Sequence, residues 1–198
     1  MLSVVIQAGG ESRRMGQDKA LAPFLGRTLI ERVIARLHPI ADELLVTTNQ
    51  PADYLFLGLP LFADEIPGRG ALGGLYTALS AASQPLVGVV ACDMPFASPA
   101  LLAYQGDLLN NPDLDAAIPR TEGGTEPFHA IYRRETCLPA VGGAIQVNKW
   151  RVDAWFAQVN IRFLSPEEVL PYDPEGLAFW NVNTPEELAE AEKMVREF

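Results

Sequence analysis

The sequence predicts an α/β fold built on a mostly parallel sheet, and three observations predict it. Apolar runs of strand length, "LSVVIQA", "ELLVTT" and "LVGVVAC", are rich in Val and Leu without clean alternation, as in strands covered on both faces. Segments of helical period lie between them. Three helix starts, "SPALL" from Ser98, "SPEEV" from Ser165 and "TPEEL" from Thr184, place a hydroxyl at the N-cap and proline at the first helical position. Strand and helix in alternation put helices on the faces of the sheet and ligands at the carboxyl ends of its strands.

Taken in order, the first run ends near Ala8 at the glycine pair Gly9 and Gly10. In "TLIERVIARL" the apolar residues Ile30, Val33, Ile34 and Leu37 recur at i, i+3, i+4 and i+7, and Pro39 stands just beyond, so a helix is predicted there. "PGRGALGGL" opens an apolar helix. "VVACDMPF" carries a buried strand into Asp93, and Pro95 stops further pairing. Glu168 and Glu187 fall three residues after their N-caps and complete capping boxes. The final helix is expected to turn Leu188, Ala191, Val195 and Phe198 inward.

With 198 residues, 48% hydrophobic and 20% charged, the chain is expected to fold as one globular domain over residues 1–198. A net charge of -10 argues against nucleic-acid and anionic membrane partners, so any bound anion must meet a local basic island. The N-terminus has no basic region and only a short apolar run, from which a cytoplasmic protein is expected. Cys92 and Cys137 lack C-x-x-C spacing and read as small buried hydrophobes.

The basic island is "AGGESRRMGQDKA". Gly9 and Gly10 free backbone amides to approach a ligand, and Arg13, Arg14 and Lys19 supply positive charge, a combination suited to a polyphosphate. The loop is not a Walker A loop, since no Gly-Lys-Ser/Thr follows at the required spacing. Asp93, at a strand's carboxyl end, suits a nucleotide-bound Mg2+, which takes few carboxylates and completes its shell with water and phosphate. Asn49 and Asp64 also end apolar runs on this rim, where by themselves they read equally as turn residues. Gly68, Gly70 and Gly73 spell G-x-G-x-x-G, with Asp93 about twenty residues on. Against a dinucleotide site, Glu65, Ile66 and Pro67 separate these glycines from the preceding strand, and Arg13, Arg14 and Lys19 would have no role. His129 reads as a structural histidine in a strand, and Trp180 as core or a stacking face. Asn181 and Asn183 alternate along an extended segment, so both amides share one face; turn and cap chemistry is the other reading.

"AGGESRRMGQDKA" resembles the signature A-G-G-x-S-x-R-M-G-x-D-K of the molybdenum cofactor guanylyltransferases, within the nucleotide-diphospho-sugar transferase-like superfamily. The resemblance continues through "TTNQ", "ADEIPGRGALGGLYTAL", "VVACDMPF", "EPFHAIY" and "FWNVNTPEEL", nearly the whole chain. It implies a three-layer α/β/α sandwich with a Rossmann-like sheet, one nucleotidyltransferase domain whose residues 1–110 mainly bind nucleotide and 111–198 mainly bind acceptor. The implied reaction moves GMP from GTP to the phosphate of molybdopterin with Mg2+; the cytidylyl counterpart on the same pterin and a non-enzymatic nucleotide-binding module are the alternatives. The implied catalytic residues are Lys19, Arg13 and Asp93, with Asp93 on the metal. Nucleotide contacts fall on Gln7, Ala8, Gly9, Gly10, Lys19, Asn49, Asp64, Gly73 and Asp93, and acceptor contacts on Asn181 and Asn183. Molybdoenzymes and other cofactor-biosynthesis proteins are the implied partners. Gln7 departs from the family's usual Leu and adds an amide donor and acceptor.

Overall fold

The computed structural model describes residues 1–9 and 18–197. In chain order the strands are β1 (Leu2–Gln7), β2 (Pro23–Phe24), β3 (Arg27–Thr28), β4 (Glu43–Thr47), β5 (Leu61–Phe62), β6 (Leu86–Ala91), β7 (Ala116–Thr121), β8 (Gly124–Thr125), β9 (His129–Arg133) and β10 (Ile161–Leu164). The helices are α1 (Leu29–Leu37), α2 (Gly70–Ala81), α3 (Pro99–Leu108), α4 (Arg134–Gln146), α5 (Pro166–Val169) and α6 (Pro185–Glu197).

One sheet runs in the order β10, β7, β9, β6, β1, β4, β5, with β8 paired to β7. The central strand β1 pairs in parallel with both β4 and β6. Its residues alternate between two apolar layers: Val4 and Ile6 join Ile30, Val33 and Leu37 of α1 and Leu101 and Leu102 of α3, whereas Val5 joins Leu72, Leu75 and Leu79 of α2 and Val141 of α4. Because both faces are covered, β1 has no polar side to alternate, which is why it reads as a continuous apolar run. A third cluster, around Phe24, Leu29, Phe96, Val182 and Ala191, seats α6 beside the sheet. Leu188 and Val195 pack against that cluster, while Phe198 lies outside the described residues.

The helix starts use the caps their sequences encode. Ser98 Oγ accepts from Leu101 N at 3.1 Å, and Glu168 accepts from Ser165 N at 3.0 Å. Thr184 and Glu187 exchange bonds of 3.1 and 3.0 Å, closing the box on α6. Thr28 and Glu31 build a further box on α1 from the same S/T-x-x-E spacing.

The strand β9 runs antiparallel to both β6 and β7, so the otherwise parallel sheet is mixed at this one place among the main strands. This reversal brings His129 inside. Its Nε2 accepts from Ser98 N at 3.0 Å and its carbonyl accepts from Gln105 Nε2 at 3.0 Å, so the imidazole is a structural post. Cys137 is buried and Cys92 half-buried. Among the described residues no helix is long and apolar enough to cross a membrane.

Burial pushes the His129 imidazole down to about 4, and the accepting Nε2 requires the neutral ring. Since the native pKa lies below the unfolded value near 6.5, this stabilisation is complete above pH about 6.5 and is lost as pH falls toward 4. We expect urea unfolding between pH 7 and pH 4 to show a loss of about 3 kcal/mol from this source. His129→Gln, whatever its stability at pH 7, should lack that part of the slope; an unchanged slope would contradict the assignment.

Candidate active site

In register, Gln7 pairs with Thr47 of β4 and Ala91 of β6, and Thr47 pairs with Phe62 of β5. The ladders continue one residue further, with Ala8 N to Thr47 O at 2.8 Å, Thr48 N to Phe62 O at 2.8 Å and Cys92 N to Gln7 O at 3.0 Å. Four strand ends therefore stop level. Ala8 and Gly9, Asn49, Asp64 and Asp93 emerge from them onto the rim of one cleft of about 1450 Å3. The second half of the chain adds Thr125 to Phe128, Trp150 and Asn181 to the same lining.

Lys19 opens a single turn of 3-10 helix, Lys19–Leu21, capped by Asp18, whose Oδ1 accepts from Ala20 N at 3.1 Å. The other oxygen of Asp18 accepts from the buried Tyr54 hydroxyl at 2.5 Å. Burial, then the Asp18 carboxylate, pushes the Tyr54 phenol far up, so it remains a donor. Held in this way, Lys19 Nζ lies 3.4 Å from Asp93 Oδ2 and donates to Asn183 Oδ1 at 2.8 Å. Asn183 is brought there because Val182 N donates to Asp93 O at 2.8 Å and Glu187 accepts from Asn183 N at 2.6 Å.

The Asp93 carboxyl is raised by burial, and Lys19 only partly offsets this. Among the described residues its Oδ1 is buried without a hydrogen-bond partner. Gln7 Nε2 is likewise buried and unpartnered, beside Gly74, where a Cβ would stand 3.2 Å from it. Asn49 and Asp64 hold each other through bonds of 2.8 and 3.0 Å. The first turn of α2 also faces the cleft, with Gly68 and Gly70 at φ of +77° and +54° turning the chain into it. Its N-cap residue Arg69 makes no side-chain cap bond, which leaves the leading amides for an anion.

Two open polar atoms, a lysine beside a carboxylate, and a helix start converging at the carboxyl ends of parallel strands form a setting for a phosphorylated ligand. The match to known proteins agrees. Residues 4–158 match the family model described as "MobA-like NTP transferase domain". The "Probable molybdenum cofactor guanylyltransferase" of Carboxydothermus hydrogenoformans is 36% identical over 100% of this chain and 96% of its own. The "Molybdenum cofactor guanylyltransferase" of Desulfosudis oleivorans is 32% identical over 97% of this chain and 95% of its own. The chain belongs to the molybdenum cofactor guanylyltransferase family. Among solved structures, the "Molybdopterin-guanine dinucleotide biosynthesis protein A" of Archaeoglobus fulgidus superposes with a TM-score of 0.85 at 25% identity, covering 99% of this chain and 100% of that one.

For this family member, the structure brings Gln7, Ala8, Gly9, Lys19, Asn49, Asp64, Asp93 and Asn181 to one cleft. Asn183 reaches it through Lys19. Gly10, Arg13 and Arg14 lie outside the described residues. Gly73 does not line the cleft: a Cβ there would stand 2.7 Å from Arg69 Cβ and 3.2 Å from Ile66 O, so its small size serves the packing of the loop before α2. The glycine next to it, Gly74, is the one on the wall. Trp180 sits in the third apolar cluster, edge-on to Phe96 at 6.4 Å. Sequence reasoning missed Asp18 and Tyr54; Asp18 was legible as the acidic residue beside the loop's lysine, but its partner Tyr54 comes from a distant 3-10 segment, Pro51–Leu57. Glu126 was also missed; it lines the cleft, bonds Thr121 Oγ1 at 3.0 Å and is raised by burial.

Because the folded Asp93 pKa exceeds the unfolded one, ionisation of Asp93 costs the native state stability that is present at low pH and lost as pH rises through the folded value. Asp93→Asn, free of metal and nucleotide, should therefore melt higher than the wild type at pH 7.5, with the difference closing toward pH 4. Thermal unfolding in EDTA measures this, and a lower Tm for the variant at pH 7.5 would contradict it.

Proposed function

We propose that the protein transfers GMP from GTP to the phosphate of molybdopterin, releasing pyrophosphate and forming the guanine dinucleotide form of the cofactor. The observation that carries this reading is the pairing of the Lys19 ammonium and the Asp93 carboxylate, 3.4 Å apart, in a cleft of about 1450 Å3. The names of the full-length relatives support the choice of nucleotide and acceptor. Residues 1–110 furnish mainly the nucleotide side of a single nucleotidyltransferase domain over 1–198, and residues 111–198 mainly the acceptor side. The setting we infer is the cytoplasm, where molybdoenzymes and other cofactor-biosynthesis proteins would receive the product.

The donor set fits Mg2+. Among the described residues no three metal-ligating side chains converge, yet Asp93 Oδ1 is buried and open. The charged residues described on the cleft wall are Asp18, Asp64, Asp93 and Glu126 against Lys19 and Arg69, too acidic by themselves for a triphosphate. Mg2+ held at Asp93 would supply the missing positive charge and offset the negative charge of the departing pyrophosphate.

An oxygen of the acceptor phosphate attacks the α-phosphorus, and the bond from that phosphorus to the α,β-bridging oxygen breaks as pyrophosphate leaves. The attacking phosphate is already an anion, so no side chain is required to remove a proton. Lys19 donates to the phosphate oxygens on which charge gathers, and Asn183 aims it. Gln7 Nε2 and the leading amides of α2 are donors for the same ligand. Arg13 and Gly10 act with them in this reading, Asn49, Asp64, Ala8 and Gly9 line the nucleotide, and Asn181 faces the acceptor.

Lys19→Ala and Asp93→Ala should each lower kcat for GMP transfer by at least about a hundredfold, with the far-UV circular dichroism unchanged. Asn183→Ala should lower kcat by about tenfold, since it misaims Lys19 without removing it. Pyrophosphate release with GTP and molybdopterin is the assay. Near-wild-type turnover by the Lys19 or Asp93 variant, or product with CTP and none with GTP, would refute the corresponding part.

A further inference from the structure

Tryptophan is normally well buried, and Trp155 is fully buried in the core. Trp150 is 58% exposed and lines the cleft, on the connection between α4 and β10. It is nonetheless held. The Arg69 guanidinium carbon lies 4.8 Å from the centroid of the indole, and Arg69 Nη1 donates to Asn148 Oδ1 at 2.6 Å. Asn148 takes the left-handed φ of +57° at the end of α4. That conformation closes α4, through Asn148 N to Ile145 O at 2.9 Å and Lys149 N to Ala144 O at 3.0 Å, and the capped end holds the Arg69 guanidinium against the indole on the cleft lining.

A large exposed ring with a cation against it forms a face for stacking. We propose that Trp150, braced by Arg69, is a shelf for a planar fused bicyclic heterocycle. Given the reaction proposed above, on which the identity of the ring rests, two candidates enter the cleft: the guanine of GTP and the pterin of the acceptor. Trp150 comes from the second half of the chain, as do the lining residues Glu126, Phe128 and Asn181, and that half mainly serves the acceptor in the reading above, so the pterin is the expected occupant.

Steady-state kinetics with GTP and molybdopterin, for the wild type, Trp150→Ala and Trp150→Phe, test this together with Tm and tryptophan fluorescence. Trp150→Ala should raise KM for molybdopterin by about tenfold to a hundredfold at an unchanged Tm, with kcat within about twofold, and Trp150→Phe should restore most of the loss. In fluorescence titrations with GTP alone and with molybdopterin alone, the quench on molybdopterin should be present in the wild type and absent in Trp150→Phe. A rise in the GTP KM and a quench by GTP alone would assign the shelf to guanine. KM values for both substrates within about twofold of wild type, with quenching equal in wild type and Trp150→Phe, would overturn the shelf. Failure of the wild type to transfer GMP would instead defeat the guanylyl reading, and the titrations would still decide the shelf.

Discussion

Gln7 is in register with Thr47 on one side and Ala91 on the other, and the chemistry of the molecule depends on where those backbones stop. Parallel strands all point their carboxyl ends the same way, so a level register turns four separate sequence positions into neighbours. Were β4 or β6 shifted by one residue, Asn49 or Asp93 would leave the rim and the packing residues of that strand would exchange faces. The two apolar layers forbid that shift: Val4 and Ile6 are fully buried on one side and Val5 on the other. The hydrophobic core thereby fixes where the site's polar residues emerge.

Charge is the second organising problem. The chain carries a net charge of -10, yet the reading proposed above asks its cleft to take a polyanion. Lys19 stands between Asp93 and Asn183, so its ammonium is positioned by one anion and one neutral acceptor. Among the described residues the carboxylate keeps one oxygen unpartnered in a buried setting, an arrangement that costs the unliganded fold stability.

Much of this was legible from residues alone. Runs rich in Val and Leu mark β1, β4 and β6, and hydroxyl-proline starts mark α3, α5 and α6, because these elements are fixed by local pattern. The orientation of β9 was not legible, since its apolar residues are buried whichever way the strand runs and only pairing with β6 and β7 decides direction. The two-residue strand β5 is too short to carry a period. In the site, Lys19, Asp93 and the glycine loop announce themselves by residue type. The role of Asn183 does not, because its amide finds Lys19 across 164 residues of sequence. Trp150 and Arg69 are equally silent, for a tryptophan in a sequence ordinarily means core.

That last separation has a temporal side. A growing chain presents Lys19 early, while the residue that aims its ammonium is made 164 residues later, on the segment tethered to Asp93 through Val182. At ordinary ribosomal speeds of about 5 to 20 residues per second the interval is about 8 to 33 seconds. Until then Lys19 can meet Asp93, 74 residues on, but not Asn183. Synthesis of the Asn181 to Asn183 segment therefore supplies the last partner that the described residues give Lys19.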